Sequence, residues 1–101
     1  MYVLITSKPN EYQAIPGEGL SPVKQFDYFF FNKKRSVFTI AEVTGPGARV
    51  VIQEVGENGT RNSIPVKFFE SFESVQAAEK ELASLAQAGA MDTELVESEV
   101  A

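Results

Sequence analysis

The sequence predicts an α+β domain: a mostly antiparallel sheet of about five strands with one C-terminal helix. Three observations lead there. Runs rich in β-branched and aromatic residues, punctuated by Gly, Pro and Asn, occupy residues 2–72. Only one later segment has helical spacing. Strands precede the helix instead of alternating with helices, which is the order of an α+β fold. A partly closed barrel with the helix plugging one end is the alternative shape.

Tyr2-Val3-Leu4-Ile5-Thr6-Ser7 reads as a first strand, stopped by Pro9-Asn10. Residues 10–22 follow as a connection with Pro16-Gly17-Glu18-Gly19 at its centre. That is long for a compact domain, and Tyr12, Ile15 and Leu20 suggest that it packs down. The aromatic run Gln25–Phe31 and the run Ser36–Val43 flank the polar segment Asn32-Lys33-Lys34-Arg35, which reads as a hairpin turn. After Gly45-Pro46-Gly47 comes a strand over 49–55, closed by the turn signal Asn58-Gly59. A last run over 64–72 contains Pro65, which has no N–H for a ladder and belongs at a strand start or on an edge.

Residues 75–88 are the helix. Ser74 is its N-cap, Gly89 its stop, and Val75, Ala78, Leu82 and Leu85 recur on one face. Residues 1–90 are taken as a single domain, and 91–101 as an acidic C-terminal tail that is either a short strand or frayed.

Composition narrows the chemistry. The 101 residues include no His, Cys or Trp. The usual neutral-pH proton shuttle, the strongest nucleophile and most zinc, haem and iron–sulfur ligands are therefore missing. No cofactor or metal is implied, and the sequence leans away from an enzyme. Without cysteine, stability must come from burial and hydrogen bonding, which suits a cytoplasmic setting. No apolar run reaches the length of a membrane span, and no signal peptide is recognisable, so a soluble chain is expected. Charge is uneven. Residues 1–69 carry eight Lys or Arg against six acids, for +2, and residues 70–101 carry one Lys against eight acids, for −7. That distribution argues against a nucleic-acid binder, which needs a concentrated positive face.

The strands themselves are apolar on both sides. By alternation Phe26, Tyr28 and Phe30 share one face and Phe29 and Phe31 the other, while Phe38 and Ile40 oppose Val37 and Val43. One helix of about 14 residues is roughly 21 Å long and shields part of one face. Either the sheet curls and buries both sets, or aromatics remain outside as a contact surface.

Two uses follow. The first is a non-catalytic interaction or accessory module, a homodimer or a subunit of a larger complex. Its partner-binding residues would be Phe29 and Phe31, with Lys33, Lys34 and Arg35 at the rim. Those three basic residues otherwise serve as a solvated turn, or meet the acidic tail of the same or another copy. The second is a small-molecule-binding protein or cofactor-free enzyme. Its pocket, between sheet and helix, would be lined by Phe26, Tyr28, Phe30, Phe38 and Phe68, with Asp27 or Tyr28 as the polar contact. Asp27, Glu42 and Glu54 are the carboxylates set among strand residues. The glycine-containing segments 16–19 and 45–47 join no strand to a helix as a phosphate loop does, and read as turns.

Overall fold

The computed structural model describes residues 1–87 and 92–100. Eight strands form two antiparallel sheets: β1 (Tyr2–Ser7), β2 (Tyr12–Pro16), β3 (Leu20–Phe30), β4 (Lys33–Val43), β5 (Arg49–Glu54), β6 (Arg61–Pro65), β7 (Ser71–Phe72) and β8 (Thr93–Ser98). The larger sheet has the order β7-β1-β4-β3-β8, and the smaller the order β2-β5-β6. One helix, α1 (Val75–Gln87), lies between β7 and β8 in sequence. The α+β class and the antiparallel sheet are as expected, and the described strands do not close into a barrel. No helix among the described residues is long and apolar enough to cross a membrane.

The apolar residues on both strand faces are explained by a second layer made from the same chain. Register pairs Val3 with Ala41 and Ile5 with Thr39. Val3, Ile5 and Ala41 point towards the smaller sheet and form one core with Ala14, Leu20, Ala48 and Val50. Their neighbours in sequence face the other way. Ile40 sits on that second side, opposite Leu4 and Lys24, and is fully buried together with Ala78 and Leu82 of α1. Lys24 Nζ meets Glu79 Oε1 at 2.6 Å, an ion pair between this side of the sheet and the helix. The hydrogen bond to Glu79 holds the Lys24 ammonium above its ordinary pKa. The larger sheet is thus covered by a sheet on one face and a helix on the other.

Several local expectations are corrected. The span 10–22 is not a loop. Lys8 and Tyr12 close a tight turn, with Lys8 N–H donating to Tyr12 O at 3.0 Å, and β2 and the start of β3 follow. Gly19 has φ 79 and lies against Ala48, a left-handed turn that returns the chain to the larger sheet. Pro22 lies inside β3, where the register slips between Pro22 and Lys24. β8 pairs only with residues 25–30, so at Pro22 one side of β3 has no ladder needing its missing N–H.

Pro65 ends β6 instead of starting a strand. The expected run 64–72 breaks there into a 3-10 turn, Val66–Phe68, closed by Phe69 N–H donating to Val66 O at 3.0 Å, and then the two-residue β7. The acidic segment supplies β8, an edge strand paired with β3 from Gln25–Ser98 to Phe30–Thr93.

Helix α1 starts where expected. Ala77 N–H donates to Ser74 Oγ at 3.1 Å. Ser74→Ala is expected to cost about 0.5–2 kcal/mol in chemical denaturation, because that N–H loses its partner. The proposed stop at Gly89 lies outside the described residues. Leu85 departs from expectation: it is 52% exposed, whereas Ala78 and Leu82 on the same stripe are fully buried. Burial needs a facing layer as well as helical spacing, and among the described residues Leu85 has no such layer over it.

Candidate functional site

The chain has eleven aromatic residues, eight Phe and three Tyr. None of them is fully buried in the core, which is built from Val, Ile, Leu and Ala, and Phe69 packs against its margin. Large rings normally bury the most area, so their position here is the main functional observation.

Five of the rings follow the β3–β4 hairpin on the helix side of the larger sheet. Phe26 is paired in register with Phe38. Tyr28 stacks edge-on against Phe38, with centroids 6.1 Å apart, and Phe30 stacks edge-on against Phe31 at 4.5 Å. Phe26, Tyr28, Phe30 and Phe38 are half-buried, and Phe31 is 60% exposed. The strip runs from the middle of the strands to the hairpin tip.

The tip is one step earlier than the sequence suggests. Phe31 and Asn32 are the turn residues, with φ 51 and 62, and Lys33-Lys34-Arg35 belong to β4. Positive φ at both central positions is the mirror-image turn whose twist suits a two-residue hairpin. Asn accepts that conformation readily, whereas Phe does not. Phe31 therefore does not share a strand face with Phe29.

The basic residues separate as well. Register slips between Tyr28–Ser36 and Phe29–Lys34, leaving Arg35 as an extra residue on β4. Arg35 lies over the Phe30 ring at 5.9 Å, within cation–π range. Lys33 is opposite Phe30 and takes that side. Lys34 is opposite Phe29 on the other side, where Nζ meets Asp27 Oδ1 at 3.4 Å. Phe29 and Phe31 meet only at the end of the hairpin, where both line a shallow hollow with Asp92 and Glu94.

The residues considered for a pocket between sheet and helix have varied positions. Phe26, Tyr28, Phe30 and Phe38 form the surface strip. Asp27 is on the opposite face, and Phe68 is on the 3-10 turn, 72% exposed. The main cleft, about 430 Å³, is elsewhere: between β2 and the outer part of the larger sheet, on the side away from α1. None of those six residues lines it. Sequence reasoning missed this cleft because its Tyr12–Pro16 wall was read as connection. Three prolines hid a five-residue strand.

For catalysis, the strand carboxylates do not converge. Asp27 is tied to Lys34, Glu42 is exposed on β4, and Glu54 ends β5 in the other sheet, its Oε2 accepting from Thr60 N–H at 3.4 Å. Among the described residues no three Asp or Glu side chains gather as a metal site would require. The segments 16–19 and 45–47 are turns joining β2 to β3 and β4 to β5. Comparison with protein-family models, curated proteins and solved structures returns no match.

Proposed function

We propose that this chain is a non-catalytic interaction module that self-associates, or docks as an accessory subunit, through the aromatic strip Phe26–Phe38–Tyr28–Phe30–Phe31. Arg35 and Lys33 form its charged rim. The single supporting observation is that the five rings of this strip are absent from a core the chain builds from smaller side chains. The absence of cysteine suits action in the cytoplasm.

Magnitudes indicate how tight such a contact is. Fully burying a large apolar side chain contributes about 1.5–3 kcal/mol. Rings already half covered gain about half of that, so five of them contribute about 4–8 kcal/mol per copy. Association itself costs about 4–15 kcal/mol. A micromolar complex, about 8 kcal/mol net, is therefore near the upper end of what the strip alone sustains. The expected behaviour is reversible and concentration-dependent.

Sedimentation equilibrium across a dilution series tests this. The apparent mass is expected to climb from the 11.1 kDa protomer towards twice that value at micromolar to submillimolar concentration. Protection of the hairpin amides from hydrogen exchange should rise in parallel. A mass fixed at the protomer value throughout, with unchanged protection at Phe30 and Phe31, would refute self-association.

A further inference from the structure

The cleft between the two sheets has a chemistry unlike the rest of the molecule. Its volume of about 430 Å³ falls in the range of small-ligand sites. Ile15 and Val37 give it apolar walls, and Pro9, Pro16 and Pro22 add rigid ones. Thr39, largely buried, and Gln25 add neutral polar groups. The chain carries fourteen acidic residues and a net charge of −5, yet no Asp or Glu lines the cleft, while Lys8 and Lys34 both do.

We infer that this cleft binds a small, mainly apolar carboxylate. Its hydrocarbon body lies against Ile15, Val37 and the prolines, and its acid group faces Lys34 and Lys8. Lys34 is suited to this position. The Asp27 carboxylate draws its ammonium to 3.4 Å without a hydrogen bond between them, so the N–H donors of Lys34 remain available to a ligand. Lys8, beside the β1–β2 turn, supplies the charge that Asp27 does not offset. A neutral ligand of the same shape would gain the apolar contact and lose the charge-assisted hydrogen bond.

Octanoate and octanamide, identical in body and different in charge, make the test. Each is titrated into the full-length protein while backbone amide shifts are followed by NMR. Octanoate is expected to give saturable shifts at Ile15, Val37 and Thr39, and octanamide to bind about tenfold more weakly. Lys34→Gln, and separately Lys8→Gln, should reduce octanoate affinity and leave octanamide affinity unchanged. The proposal is overturned by shifts that do not saturate, by shifts confined to the β3–β4 tip, or by equal affinity for both probes. Equal octanoate affinity in wild type and both variants would also overturn it. The aromatic strip is on the other face of the larger sheet, so this result and the self-association result are independent.

Discussion

Replacing Ile40 by alanine is expected to lower the unfolding free energy by about 2–5 kcal/mol. Ile40 is fully buried at the middle of β4, the central strand of the larger sheet, on the side that α1 covers. Truncation removes three carbons beneath a single helix. The loss combines forfeited apolar transfer with an unfilled void, since the surrounding sheet relaxes only in part. Domains of this size are commonly stable by about 5–15 kcal/mol, so one side chain decides a large share. Urea denaturation should show a lower midpoint with an unchanged slope. Ile40→Val should cost only about 0.5–1.5 kcal/mol. The half-exposed Val96 on β8 serves as the control, and Val96→Ala should stay within about 0.5 kcal/mol of wild type. A loss at Ile40→Ala no larger than the control would mean that the helix is not a packed layer.

Phe31→Asn is expected to act in opposite directions on stability and association. A bulky residue held at φ 51 carries strain of about 1–3 kcal/mol. Asn tolerates that conformation and is favoured in this turn type. The edge-on contact with Phe30 returns about 0.5–1.5 kcal/mol, so the net expectation is a gain centred on about 1 kcal/mol in urea denaturation. The same substitution removes the outermost ring of the proposed contact and should weaken self-association at least about tenfold by sedimentation. A more stable but less associative variant is the pattern of a residue kept for binding at some cost to the fold. A less stable variant that associates normally would assign Phe31 to the hairpin's own packing and remove it from the contact.

The class of fold was readable because its signals are local. Ser74 caps α1, and β5 turns into β6 through residues 55–60, where Gly59 N–H donates to Gly56 O and the left-handed residue is Gly56 instead of the Asn58-Gly59 pair. Alternation also identified which residues of β1, β4 and β5 are apolar. It could not identify the layer they face, because strand periodicity does not record which sheet a strand joins. The two-sided apolar pattern of the larger sheet looked like uncovered surface, and part of it is the floor on which β2 and β5 rest. The hairpin tip was misplaced for a related reason. Lys33-Lys34-Arg35 has the polarity of a turn, but its backbone continues the ladder. The actual turn uses Phe31, a residue that turn chemistry would not select. Of the candidate site, the residue types were legible and the sides were not. Phe29 and Phe30, like Lys34 and Arg35, are neighbours in sequence that the strand pleat and one bulge send to opposite faces, Phe29 with Lys34 and Phe30 with Arg35.

The outer strand β8 carries its own guard against edge-to-edge pairing. Its far edge ends the larger sheet, and an uncapped edge is a template on which further chains can extend a ribbon. Here that edge carries Glu94 and Glu97, with Glu99 just beyond. Two such edges laid antiparallel would bring carboxylates together along their length, and like charges directly opposite are unfavourable. Edge-to-edge extension of the larger sheet is therefore opposed at the β8 margin.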